Sequence, residues 1–150
     1  IDLATELSET ADGEKKMSIL VVEDNEELRN FIAGKLSEEF TTFVAEDGNK
    51  AWQLVTANAP DLIISDVMMP NINGFELCQL VKSTYETSHI PVILLTALTE
   101  KAKQLEGLGL GADDYLTKPF DMNLLVQKIK TIIRNRELSL IHISEPTRPY

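Results

Sequence analysis

Between Met17 and Glu137 five short β-rich runs alternate with five segments of helical spacing, and few folds accommodate that alternation. The runs are 18–22, 41–45, 62–65, 92–96 and 115–117. Residues 19–22, 62–64 and 92–95 are almost wholly apolar. A strand with one wet face alternates apolar with polar, so continuous apolar runs belong to strands covered on both faces, as in parallel sheets. The second run, TTFVA, is more mixed and suits a position nearer an edge. In the segments between, apolar residues recur at helical spacing: Leu28, Phe31, Ile32 and Leu36 in 26–38, with Asn25 as N-cap. The same holds for Ala51, Leu54 and Val55 in 49–58, and for Leu77, Cys78 and Val81 in 74–83. Segment 100–108 is weaker, and 122–136 carries a clear stripe of Leu125, Ile129, Ile132 and Ile133. Strands and helices in strict alternation predict right-handed βαβ units and an α/β, doubly wound sheet.

Composition narrows the function. A single cysteine excludes an internal disulfide framework and a multi-Cys zinc site, and two histidines disfavour a His-rich metal centre. The net charge of -10 argues against a nucleic-acid surface, because such affinity rests on neutralising phosphates. No apolar run reaches the roughly 18 residues that span a bilayer, and no signal peptide opens the chain. The expected location is the cytoplasm, with no membrane contact by this domain.

Three regions are expected. Residues 1–16 are polar without a sustained period and read as a disordered linker or leader. The chain opens on Ile1, which suggests a piece of a longer protein. Residues 17–137 form the folded domain. After Glu137 the apolar period breaks into LSLIHISEPTRPY, which also matches a translation of transposase sequencing-adapter DNA. Residues 138–150 therefore read as a non-native or disordered tail.

In a doubly wound sheet, ligands bind at the carboxyl ends of the strands, near the point where strand order reverses. Glu23 and Asp24 follow the first run, Asp66 the third, Thr96 the fourth and Lys118 the fifth. Singly, each is commonplace: a loop charge, a helix cap, a β-former, a solvated lysine. Together they are not, because three carboxylates in one place repel unless a cation sits among them. Hard oxygen ligands suit Mg²⁺, which keeps waters and accepts phosphate as a co-ligand. A lysine and a threonine can hold phosphoryl oxygens, and a carboxylate can attack phosphorus to give an acyl phosphate. Gly107, Gly109 and Ala112 fit a relaxed GxGxxG/A, but they follow a helix and precede a strand, the reverse of the dinucleotide context. Cys78 lies on an apolar stripe and His89 in a loop, and neither reads as a reactive centre.

The strings ILVVEDN (19–25), DLIISDVMMPNINGFELC (61–78), IPVILLTA (90–97) and GADDYLTKPF (111–120) carry a resemblance. In their order and spacing the chain resembles the receiver domain of two-component response regulators over about residues 17–136. That resemblance implies a (βα)₅ flavodoxin-like sandwich with a five-stranded parallel sheet. It implies that Asp66 is the phosphoacceptor, that Glu23 and Asp24 hold Mg²⁺, and that the backbone carbonyl of Met68 is a further metal ligand. Thr96 would hydrogen-bond the phosphoryl group, Lys118 would pair with it, and Tyr115 stands at the aromatic switch position. The Lys118–Pro119 bond is expected cis. The wording TSHIPVILLTA and the acidic leader further resemble receivers inside hybrid sensor kinases.

On this reading the domain takes a phosphoryl group from a histidine kinase or phosphohistidine domain. It assists its own phosphorylation and dephosphorylation and is not otherwise an enzyme, whereas its parent chain is expected to be a hybrid histidine kinase. Thr96 ends the fourth strand and Tyr115 opens the fifth, so the two are expected to be neighbours. The face of the fourth helix, fifth strand and fifth helix is expected to form a phosphorylation-dependent homodimer or bind a partner. One rival is a Mg²⁺-dependent phosphatase or phosphotransferase with an Asp nucleophile. Such enzymes place a general acid two residues on, where this chain has Met68. Another is a phosphorylation-independent interaction module, against which the complete set of acids, Thr96 and Lys118 argues.

Overall fold

A computed structural model of the chain describes residues 16–97 and 111–143, the last six by backbone alone. Its five strands are β1 (Ser18–Val22), β2 (Thr41–Ala45), β3 (Leu62–Asp66), β4 (Val92–Thr96) and β5 (Asp114–Thr117). They form one sheet in the order β2-β1-β3-β4-β5, with every pair parallel. The helices are α1 (Glu26–Leu36), α2 (Gly48–Asn58), α3 (Gly74–Ser83) and α4 (Met122–Ile143). This is the expected doubly wound architecture. The helix expected over 100–108 lies outside the described residues, as do most of the leader and the last seven residues.

Each of the first three helices starts where the sequence supplies an acceptor for its unsatisfied N–H groups. Asn25 Oδ1 accepts from Leu28 N at 2.8 Å, and Asp47 Oδ1 from Lys50 N at 2.8 Å. Asn73 and Glu76 form a reciprocal capping box, with both bonds at 2.8 Å. α2 ends on Ala59 in the left-handed region at φ 46°, immediately before Pro60, whose ring cannot continue a helix. The last helix departs from the sequence pattern. Its apolar period breaks at Glu137, yet it runs on to Ile143, because neither Gly nor Pro interrupts the backbone before Pro146.

Two apolar layers flank the sheet. Ile19, Val21, Ile64 and Leu95 pack with Ile32 and Leu36 of α1 and Leu125 and Ile129 of α4. Leu20, Val22, Ile63 and Leu94 pack on the other face with Val55 of α2 and Leu77, Cys78 and Val81 of α3. β1, β3 and β4 are buried on both faces, which accounts for their unbroken apolar runs. β2 and β5 are the edges, and their sequences are correspondingly mixed.

Strand order reverses between β1 and β3. The chain leaves β1 toward β2 on one side, and leaves β3 toward β4 and β5 on the other. Their carboxyl ends therefore open onto a common crevice.

Candidate functional site

Glu23 directly follows β1 and Asp66 ends β3, so the reversal point places two carboxylates side by side. Glu23 is 1% exposed and Asp66 6%, whereas Asp24 faces solvent. One carboxylate oxygen from each of Glu23, Asp24 and Asp66 lies within 4.8 Å of the others. Lys118, from the turn after β5, reaches across with Nζ 3.1 Å from both Glu23 Oε1 and Asp66 Oδ2. Its backbone N–H donates to the carbonyl of Thr96 at 2.9 Å, tying this turn to the end of β4. The Lys118–Pro119 peptide is cis, as expected.

The electrostatics follow from the burial. Removing Glu23 from water raises its carboxyl above the ordinary value, and the charge of Asp66 adds to this. The Asn25 amide and Lys118 pull it back. Burial works against the charge of Lys118, but its bonds to Asp66 and Glu23 outweigh burial, so its pKa is raised. Among the described residues Lys118 is the cation ion-paired with this group, and three acids outnumber it. Hard oxygen donors crowded this closely, with Asp24 open to solvent, fit a small divalent cation that retains waters, as Mg²⁺ does.

Thr96 is fully buried at the end of β4, one residue past Leu95, the register partner of Asp66. Met68 lies two residues beyond Asp66 and is 68% exposed. Tyr115 is placed differently from expectation. Its register partner is Leu94, whereas Thr96 stands opposite Thr117. Tyr115 is thus a diagonal neighbour of Thr96, two residues nearer the start of the strands, and its half-buried ring packs in the α2–α3 layer. The reason is that β5 starts at Asp114 and its register is set by Ile93, not by the strand ends.

Two residues of the site do not stand out in the sequence. Gly74 opens α3 against the end of β3, and a Cβ there would meet the Asp66 carbonyl and come 2.8 Å from Val67 Cα. Its N–H donates to the Val67 carbonyl at 2.9 Å. The legible signal was a glycine beside the helix cap. Arg29, on α1, donates from Nη1 to the Glu23 carbonyl at 2.9 Å. Its signal was an arginine one turn into the helix that follows two acids.

Comparison with known proteins points to one family. The sequence profile of the response regulator receiver domain matches residues 19–130. Histidine kinase P4 of Formosa agariphila is 45% identical over 122 residues, which cover 81% of this chain and 9% of that protein. Response regulator PleD of Caulobacter vibrioides is 39% identical over 117 residues, covering 77% of this chain and 26% of PleD. The chain thus spans only a part of these curated relatives. Among solved structures, the signal receiver domain of a signal transduction histidine kinase from Syntrophus aciditrophicus has a TM-score of 0.74 at 32% identity, covering 89% of this chain and 96% of that one. The receiver domain of Francisella response regulator 1452 also has a TM-score of 0.74, at 35% identity, covering 79% of this chain and 98% of that one.

Proposed function

The chain belongs to the response regulator receiver domain family, and we propose that within it Asp66 accepts the phosphoryl group. As a receiver it is a phosphoacceptor of two-component signalling. The observation that carries the assignment to Asp66 is its place: a nearly buried carboxylate at the strand-order reversal, 3.1 Å from Lys118 and flanked by two further acids.

An oxygen of Asp66 attacks phosphorus, the bond from phosphorus to the donor's imidazole nitrogen breaks, and the freed nitrogen takes a proton from solvent. Lys118 holds charge beside the incoming oxygens, and Thr96 offers a hydroxyl from the end of β4. Receiver domains bind Mg²⁺ in an acidic pocket, and here Glu23, Asp24 and Asp66, with the carbonyl of Met68, would hold it. When bound, the ion offsets negative charge between these acids and the phosphoryl oxygens. The exposed Met68 cannot serve as a general acid, which disfavours a turnover phosphatase.

The donor in this reading is a phosphohistidine on a histidine kinase or phosphohistidine domain. The 45% identity to a protein named as a histidine kinase supports a hybrid parent chain. No described helix is long and apolar enough to cross a membrane. Tyr115 remains the proposed switch aromatic, acting through the layer it shares with Leu94; the proposed dimer face is the fourth helical segment of the sequence, which lies outside the described residues, with β5 and α4, the fifth.

Incubation with Mg²⁺ and acetyl phosphate should add one phosphate, mapped by mass spectrometry to Asp66. Asp66→Asn should abolish it, because an amide forms no acyl phosphate. Undiminished labelling of that variant would remove the assignment.

A further inference from the structure

We propose that Arg29 is a positioning residue for the cation site: by clamping the Glu23 carbonyl, it fixes the peptide that leads into Asp24. The proposal rests on the reading of Glu23, Asp24 and Asp66 as that site.

Asp24 is the exposed member of the acidic group, and what places its carboxylate is the course of its backbone. That course is tied down on both sides. Glu23 N donates to the Ala45 carbonyl at 3.0 Å, and Asn25 N donates to Glu23 Oε2 at 3.1 Å. A backbone freedom left between these anchors is rotation of the peptide between Glu23 and Asp24. A peptide unit is planar, so holding its oxygen also fixes its nitrogen and the Cα of the next residue. Arg29 Nη1 holds that oxygen at 2.9 Å from a half-buried position on α1. Among the described residues no carboxylate forms an ion pair with Arg29. The guanidinium beside this acidic cluster ends on a neutral carbonyl, which is an odd use of a cation unless the carbonyl is what needs holding. Residues that orient metal ligands from behind typically change metal affinity by about 10–100-fold when removed.

Charge and positioning predict opposite signs. Arg29 is a cation near a site for a cation, so its bare charge repels Mg²⁺, and deleting it should tighten binding. If its role is to place Asp24, deleting it should loosen binding instead. The test is isothermal titration of Mg²⁺ into the whole chain, wild type, Arg29→Ala and Arg29→Lys, at one ionic strength. Initial phosphorylation rates from acetyl phosphate are then measured across Mg²⁺ concentrations. Arg29→Ala should bind Mg²⁺ about tenfold more weakly. Its phosphorylation should need correspondingly more Mg²⁺ and recover most of the wild-type rate at saturation. Arg29→Lys can still reach the carbonyl with one donor and should recover most of the affinity. Equal or tighter binding by Arg29→Ala overturns the proposal, as does an Arg29→Lys variant as impaired as Arg29→Ala. If Arg29→Ala does not fold, the lysine variant decides: affinity within about threefold of wild type supports the clamp, and a tenfold loss overturns it. A wild-type chain that binds no Mg²⁺ would instead refute the site reading itself.

Discussion

Replacing Asp24 by asparagine should stabilise the fold when no divalent cation is present. The substitution keeps shape and hydrogen-bonding capacity and removes one of three clustered charges. Two unit charges at the 4.8 Å limit of this cluster repel by about 0.9 kcal/mol at the dielectric of water and about 3.5 kcal/mol at an effective value of 20. Asp24 is exposed, and Lys118 already offsets part of the charge on Glu23 and Asp66. The lower part of that range therefore applies, and the expected gain is about 1–2 kcal/mol. With a urea slope of about 2 kcal/mol/M, the unfolding midpoint should rise by roughly 0.5–1 M. Mg²⁺ should reverse the ranking. A ligand at a hundredfold excess over its Kd stabilises the folded state by about 2.7 kcal/mol, and the variant should lose most of that gain. The pH dependence has a definite sign. The carboxyl of Glu23 is raised in the folded state, so its contribution to stability is full below the ordinary value of 4.5 and is lost as pH rises through the raised value. Once Glu23 is protonated it no longer repels Asp24, so the advantage of the variant should shrink on acidification. Urea titrations with EDTA or Mg²⁺, at low and high NaCl, measure all of this. A variant no more stable than wild type in low-salt EDTA would show that the acids do not repel one another in the folded state.

Gly74→Ala should destabilise the domain by about 1–3 kcal/mol and slow Asp66 phosphorylation, because its Cβ lands on the backbone of the acceptor strand; wild-type unfolding would show that α3 can shift freely. Burial raises the Cys78 thiol to about 11, so it should resist alkylation at pH 8 in the native state and react rapidly in denaturant; fast native modification, followed by mass, would contradict the buried placement. Met68 is exposed two residues past Asp66 and its thioether cannot orient water, so Met68→Asn should shorten the lifetime of the phosphorylated form; an unchanged decay rate would sink the water-positioning argument.

The layered fold was legible because burial on both faces writes itself into β1, β3 and β4 as unbroken apolar runs. The acids were legible for a related reason: they sit where those runs stop, and stops in a parallel sheet share one edge. What sequence does not carry is register between strands whose connection is long. Tyr115 therefore came out beside Leu94 rather than Thr96. The clamp from Arg29 to the Glu23 carbonyl depends on the angle at which α1 leaves the sheet, which spacing alone does not fix. The role of Gly74 was hidden likewise, since a glycine next to a cap is common where nothing packs against it. The extension of α4 past Glu137 escaped a reading based on apolar period, because a helix without a breaker continues on backbone hydrogen bonds.

The packing of Gly74 on Asp66 also decides where the domain is stiff. β3 is hydrogen-bonded to a strand on each side, Val67 N–H is held by the Leu95 carbonyl, and α3 rests backbone on backbone against the strand end. No side chain is interposed there to act as a spring. A shift of Asp66 toward α3 would therefore press backbone on backbone. On the opposite flank the long Lys118 side chain reaches Asp66, and β5, only four residues long, is the outermost strand among the described residues. A displacement that starts at Asp66 is therefore expected to run toward β5 rather than into α3.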